Sequence, residues 1–378
     1  MTFESRARGA VLAIHRAVEV MEMTTSTKEP RKNERFDRFR DRKQRNRRIG
    51  ALVVAGAIIV AAIVVISTNM LGNDKKVVPA GDNPVDPAAH DRILYDVYSG
   101  GYTSALFTID AGGGVGQDLG VDTDPGSVWS PDGTRILVTT TGGPAETATP
   151  VRPATVAADG SDFQLLDGVE DRSLNLGCTA YAPDGSLLAC TGYSDLVSGV
   201  YTVRASDGGG LLQLADVAGI PSDFSPEGDE IVFVADDTIG GASTSDASTL
   251  MVVGTDGSGL REITPPASVQ AYSGASWSPD GQWIVYIDVE GRLSLVHPDG
   301  TSRHLVPMPP EASIDESLGG ATWSPDGTWI SFSARADGGE NPDLHRLAPG
   351  GANLGQITDY RQLTDTPKVA EFTLDWSS

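Results

Sequence analysis

From residue 91 onward, hydrophobic and polar positions alternate in short runs that end in turn residues. The strings LFTIDAGGG from Leu106, ATVAADGSD from Ala154, YTVRASDGGG from Tyr201, MVVGTDGSG from Met251, LSLVHPDGT from Leu293 and LHRLAPGGA from Leu344 each carry a strand into an Asp-Gly or Gly-Gly turn. Between them recurs a second pattern: VWSPDGTRILVT from Val128, AYAPDGSLLACT from Ala180, DFSPEGDEIVFV from Asp223, SWSPDGQWIVYI from Ser276 and TWSPDGTWISFS from Thr322. An aromatic residue (Trp129, Tyr181, Phe224, Trp277, Trp323) ends one strand, Pro-Asp or Pro-Glu takes the turn centre, and Gly supplies a positive φ before the next apolar strand. The prolines at 131, 183, 226, 279 and 325 are spaced by 52, 43, 53 and 46 residues, the range of one four-stranded propeller blade.

Each blade therefore reads as strand, SPDG turn, strand, loop, strand, DG turn, strand. The sixth SPDG turn is split between the ends of the repeat region, where Trp376 and Ser377 align with Trp323 and Ser324, and RILYDVY from Arg92 matches RILV at Arg135. Pairing the two ends completes one blade and removes free sheet edges. Residues 91–378 number 288, or 48 per blade for six blades. The expected fold is an all-β, six-bladed β-propeller, with seven blades as the rival count, preceded by a single transmembrane helix.

The repeated WSPDG-x-x-I strand and DG turn resemble the TolB-like, WD-repeat-like β-propeller family over residues 91–378, about three quarters of the chain. That resemblance implies a periplasmic or cell-surface binding module, sometimes an accessory domain of a serine peptidase. The sequence departs from both patterns. On this reading no hydrolase domain is expected after the repeats, and an anchor and spacer are expected where TolB has its amino-terminal domain.

Charge divides the chain. Net charge is -23, yet residues 1–50 hold 14 Lys+Arg against 7 Asp+Glu, and ten of the cations lie between Arg31 and Arg48. Ile49 to Ile66, IGALVVAGAIIVAAIVVI, is 18 residues without a polar side chain. At about 1.5 Å per residue it spans roughly 27 Å, close to a bilayer core. The position of the cations favours membrane topology over nucleic-acid binding and keeps the amino-terminal side in the cytoplasm. No A-x-A cleavage site follows, which favours an uncleaved anchor over a signal peptide. The expected organisation is a basic cytoplasmic segment 1–48, an anchor helix 49–70, a Pro-rich spacer 71–90 and an extracytoplasmic propeller 91–378. Met1, Met21 and Met23 all remain candidates for the first residue.

Candidate chemistry is sparse. The chain contains no G-x-S-x-G, H-E-x-x-H or G-x-x-x-x-G-K-[ST]. His297 and His304 flank a DG turn, but without a third ligand they read, with His90 and His345, as surface residues. Cys178 and Cys190 flank the Pro183 turn; a type I turn with a Gly bulge would set them opposite one another, and an oxidising exterior favours a disulfide over two core thiols. The Asp and Glu of the repeat turns are expected to cap their own turns. Other acids lie in loops expected at one rim: Asp122, Asp124, Glu170, Asp171, Asp236, Asp237, Asp315, Glu316, Asp337 and Glu340. They would form an acidic funnel attracting calcium, a cationic ligand or a basic protein and repelling nucleic acid; the plainer reading is a generally acidic surface, because no complete calcium-loop spacing occurs.

These features predict a non-enzymatic, membrane-anchored propeller binding a protein or envelope polymer outside the cytoplasm, with no required cofactor. Two alternatives remain: an enzyme acting on carbohydrate or peptide through carboxylates gathered in the central pocket, and a transmembrane ligand sensor.

Overall fold

Runs such as ILV, IVFV and IVYI lack polar alternation because both faces of their strands are buried. In the computed structural model, Ile136 and Val138 pack towards one neighbouring sheet and Leu137 towards the other. Ile231 and Phe233 likewise face one side while Val232 and Val234 face the opposite one. The structure describes residues 91–98, 104–123, 126–140, 151–171, 173–194, 197–235, 247–270, 274–309, 312–314, 320–336, 341–366 and 369–377. The basic segment, apolar run and spacer expected over 1–90 lie outside them. Among the described residues no helix is long and apolar enough to cross a membrane.

The strands form six antiparallel sheets, the blades of a six-bladed propeller. Blade 1 joins Ala370–Trp376 to Arg92–Tyr98, Ser104–Asp110 and Gln117–Thr123. Blade 2 comprises Val128–Trp129, Arg135–Thr140, Arg152–Ala157 and Gln164–Leu165. Blade 3 comprises Asn175–Tyr181, Leu187–Tyr193, Ser198–Arg204 and Leu212–Ala215. Blade 4 is built on Gly219–Phe224, Glu230–Ala235, Ala247–Gly254 and Arg261–Glu262, with Val269–Gln270 also pairing its third strand. Blade 5 comprises Ser276–Trp277, Ile284–Ile287, Leu293–Val296 and His304–Leu305. Blade 6 comprises Ala321–Trp323, Ile330–Ala336, Asp343–Gly350 and Gln356–Gln362, with Ala312–Ser313 pairing its second strand.

Each of the six buried clusters is one interface between neighbouring blades. Leu94, Leu106 and Leu119 of blade 1 meet Trp129, Ile136 and Val156 of blade 2. Around the ring, Leu344 and Leu363 of blade 6 meet Ile93, Tyr95, Ile109 and Trp376 of blade 1. The closing strand pairs Ile93 with Trp376, as the split repeat predicts. Arg92 N–H donates to Ser377 Oγ at 2.8 Å, Ser377 N–H to the Arg92 carbonyl at 2.8 Å, and Trp376 Nε1–H to Asp91 Oδ1 at 3.1 Å.

The repeat turns share one hydrogen-bond pattern. In blade 2, Gly133 N–H donates to the Ser130 carbonyl, and Asp132 Oδ1 accepts from Ser130 Oγ at 2.6 Å and from Thr134 N–H at 3.0 Å. Those bonds hold the Asp132 carboxyl below its ordinary pKa, the Ser130 hydroxyl contributing most. Ser278–Asp280 and Ser324–Asp326 repeat the arrangement. In blade 4, Glu227 occupies the acid position and the Ser225 hydroxyl turns instead to Asp229 Oδ1 at 2.9 Å.

Cys178 and Cys190 form a disulfide between the first two strands of blade 3. Their pairing comes about differently from the expected turn geometry: Ala182 N–H donates to the Leu187 carbonyl, Tyr181 pairs with Leu188, and a bulge between Cys178 and Ala180 brings Cys178 opposite Cys190. The surface reading of His345 is overturned. It is fully buried in blade 6, stacked between Phe332 and Tyr360, with Nε2 bonded to the Ala334 carbonyl at 3.0 Å and Nδ1 to Tyr360 Oη at 2.7 Å. Burial lowers its pKa and favours the neutral ring. His297 and His304 are half-buried against Trp283, with ring centroids at 3.9 and 5.1 Å. His90 lies outside the described residues.

DG-turn glycines set the distance between blades. Gly160 has φ +81, and a Cβ there would lie 2.0 Å from the Leu119 carbonyl oxygen of the preceding blade; at Gly208 the corresponding oxygen is that of Leu166, at 2.6 Å. Gly185, in an SPDG-type turn, has φ +71 but open space where a Cβ would go. Gly185→Ala is expected to cost about 1–2 kcal/mol, the penalty of the left-handed conformation. Gly160→Ala is expected to cost more, because the blade 1 strand must also retreat; equilibrium urea unfolding of both variants checks the order. The disulfide closes a span of 12 residues and both cysteines are fully buried. Reductant alone should leave it intact in the native state, whereas reduction after unfolding should lower stability by about 3 kcal/mol, read from denaturation curves with and without thiol blocking.

Candidate binding site at the channel mouth

The inner strands of all six blades end at the same face, where they line a central cavity of about 500 Å³. The aromatic residue of each strand turns towards the preceding blade: Trp129 to blade 1, Trp277 to blade 4 and Trp323 to blade 5. Strand alternation therefore sends the preceding side chain towards the following blade. That position is occupied by Val128, Ala180, Asp223, Ser276, Thr322 and Asp375, all lining the cavity.

Its polar members tie one blade to the next. Asp375 Oδ2 in blade 1 accepts Trp129 N–H of blade 2 at 2.8 Å. Asp223 Oδ2 in blade 4 accepts Trp277 N–H of blade 5 at 2.9 Å and the Ser276 hydroxyl at 3.2 Å. Ser276 Oγ then accepts Trp323 N–H of blade 6 at 3.4 Å. Blades 1 and 4 are three places apart in the ring, so the two carboxylates stand on opposite sides of the channel.

Burial dominates their electrostatics. It raises the Asp223 pKa to about 7, with the Trp277 N–H holding it back and the charge of Asp375 pushing it further up. Burial likewise raises Asp375 to about 6 against the Trp129 and Trp376 N–H groups. Each carboxylate also accepts the next N–H of its own strand, Phe224 for Asp223 and Trp376 for Asp375. A third acid with a raised pKa, Glu371, begins the closing strand. Burial lifts it to about 7 despite bonds from Thr364 and Thr366, and the neighbouring Asp343 adds to the rise. Asp343 accepts from Thr366 N–H at 2.8 Å and Gln362 Nε2 at 3.1 Å, so this pair seals the junction of blades 6 and 1.

The expected acidic rim is represented by three described residues, each with a local environment of its own. Asp122 is exposed on the outer strand of blade 1. Glu170 accepts Gly210 N–H at 2.9 Å and Leu211 N–H at 3.3 Å, pinning the link after blade 2 to a turn of blade 3. Asp171 accepts the Ser173 N–H at 2.9 Å and its hydroxyl at 2.7 Å. Asp124, Asp236, Asp237, Asp315, Glu316, Asp337 and Glu340 lie outside the described residues, and no group of three or more His, Cys, Asp or Glu suited to a metal occurs among those described. Sequence reading passed over Asp223 and Asp375. The available signal was an acid immediately before the aromatic residue, where the other repeats carry Val, Ala, Ser or Thr.

Comparison of folds finds likeness to solved structures over about three quarters of the chain. TolB from Acinetobacter baumannii superposes with a TM-score of 0.55 at 14% identity, covering 75% of this chain and 67% of that one. A chain of the nidogen–laminin complex superposes with a TM-score of 0.53 at 9% identity, covering 76% of this chain and 97% of that one. At such identities the likeness is one of fold. No family model and no curated sequence matches the chain.

The raised carboxyl pKa values set a pH window. Native Asp223, Asp375 and Glu371 keep their protons to about 7, 6 and 7, above their ordinary carboxylate values, so between roughly pH 4 and 7 the folded chain binds more protons than the unfolded one. Stability contributed by these groups falls as pH rises through that range. The turn acids Asp132 and Asp326, with lowered pKa values, act in the opposite sense and withdraw stability only in more acidic solution. The combined Asp223→Asn, Glu371→Gln and Asp375→Asn chain is expected to lose most of the decline in melting temperature between about pH 5 and 8, measured by calorimetry.

Proposed function

We propose that this chain is a membrane-tethered, extracytoplasmic binding propeller whose channel mouth receives a basic segment of an envelope protein. The observation carrying this reading is the placement of Asp223 and Asp375 on opposite walls of a concave mouth built by six rigid strands. A Lys or Arg side chain entering the mouth gains the attraction of both carboxylates where low polarity strengthens it, and the aromatic and proline rim offers apolar surface to its stem. The TolB-like fold is compatible with such a role and does not identify the partner. The basic residues before Ile49 and the apolar run through Ile66 support the tether and the cytoplasmic placement of the amino terminus. No cofactor is required, although a divalent cation at the two carboxylates would compete with the basic segment.

A second reading rests on the same carboxylates. Two acids with raised pKa values facing one cavity also suit acid and base roles in cleavage of a glycan. Product release from envelope polysaccharide by the parent, lost in Asp223→Asn and Asp375→Asn, would favour it over binding alone.

The binding reading is tested by titrating the full-length chain with a lysine-rich peptide and an acidic peptide of equal length. Only the basic peptide should bind, more tightly at about pH 8 than at about pH 5 as both carboxylates ionise. Asp223→Asn with Asp375→Asn should weaken it by about tenfold or more, consistent with the loss of close charge pairs. Binding insensitive to both pH and these substitutions would rule out the channel mouth as the site.

A further inference from the structure

Beside the channel mouth, at the junction of blades 6 and 1, a smaller pocket of about 280 Å³ contains a buried cation with no carboxylate in ion-pair contact among the described residues. Arg346, on the third strand of blade 6, is 8% exposed, and its Nε has no hydrogen-bond acceptor among the described residues. The guanidinium lies over the Trp329 ring, 4.1 Å from its centroid. Stacking uses the face of the group and leaves its in-plane N–H donors directed elsewhere.

A second, independent observation points the same way. Arg346 pairs directly across the sheet with Arg361, whose guanidinium lies 6.0 Å from the same Trp329 ring. Like charges directly opposite one another destabilise a sheet. Arg361 has Asp359 at 3.4 Å and is half-exposed, so water and that carboxylate relieve it. Asp91, Asp359 and Asp110 act on Arg346 only through space, and burial with the Arg361 charge still lowers its pKa. A singly charged anion in the pocket would supply a directly bonded partner.

The pocket's own acids are committed. Asp91 accepts Trp376 Nε1–H, and Asp326 accepts the hydroxyls of Ser324 and Thr328 at 2.6 and 2.7 Å. Their charges nevertheless limit what can enter: a dianion such as phosphate meets two carboxylates, whereas a monocarboxylate matches the planar fork of one guanidinium. Trp329, Trp376 and Pro325 supply apolar wall, and the volume suits a ligand of few heavy atoms.

We propose that the Arg346 pocket binds a small monocarboxylate carrying a flat apolar body, at a site separate from the two channel carboxylates. Ser324, Pro325 and Trp376 line both cavities, so a ligand here would lie beside the channel mouth. The pocket stands on its own geometry and does not require the basic-segment reading.

The probe is benzoate, with benzamide as its neutral isostere and inorganic phosphate as a compact anion, added to the detergent-solubilised full-length chain and compared with empty micelles. Saturation-transfer NMR and calorimetric titration should show benzoate binding, little or no benzamide binding, and phosphate weaker than benzoate. Arg346→Gln should weaken benzoate by about tenfold or more while the melting temperature shows the chain still folded. If that variant fails to fold, Arg346→Lys is read in its place; it keeps the charge but loses the planar fork, and a weakening of about threefold or more is expected. Absence of benzoate binding to the parent, equal binding of benzamide, tighter binding of phosphate, or an affinity unchanged by the substitution would each overturn the proposal.

Discussion

Every sheet in this molecule is buried on both faces by its neighbours, and the rest of the architecture depends on that condition. An open row of blades would leave Ile93, Tyr95 and Ile109 exposed at one end and Leu344 at the other, and these are the residues the closing interface covers. Fully burying one such side chain stabilises by roughly 1.5–3 kcal/mol, so closure is favoured strongly over an open array. It also explains why the last strand of the fold pairs with the first: the ring needs a hydrogen-bonded clasp across its final seam, and Ala370–Trp376 supplies it.

Closure fixes how closely blades approach at two radii. Further out, DG-turn glycines let a turn rest on the carbonyl of the preceding blade. At the axis, the residue before each aromatic side chain determines the link to the following blade. Val128 and Ala180 offer no acceptor, while Asp375, Asp223 and Ser276 accept backbone N–H groups. A carboxylate there serves an interblade bond with one oxygen, at the cost of desolvation that raises its pKa. The same burial keeps it uncharged in mildly acidic solution, so its charge is offered to anything entering the channel only as pH rises past about 6 to 7.

The junction of blades 6 and 1 concentrates the remaining unusual chemistry. Asp343 and Glu371 are buried there, His345 is held neutral between aromatic rings, and Arg346 lies on Trp329. This junction is also where the two ends of the repeat region meet, through Arg92–Tyr98 and Ala370–Trp376. Its acids and hydroxyls satisfy one another, whereas Arg346 does not share in that network among the described residues.

The sequence by itself determined the repeating unit, the turn-capping role of Asp132, Asp280 and Asp326, and the sharing of blade 1 between the two ends of the repeat region, and it favoured six blades over seven, a count the six sheets settle. These are legible because they are local: turn chemistry and strand period act over a few residues and recur at regular spacing. The cysteine pairing was also suggested by local pattern, although a bulge rather than the assumed turn produced it. Tertiary structure alone decided that Asp223 and Asp375 face one channel, that His345 is buried, and that Arg346 meets Arg361 over Trp329. Asp223 and Asp375 are 152 positions apart in the chain. Their meeting, and the raised pKa values that follow, arise only when the ring closes and packs both among the inner strands at the cavity wall.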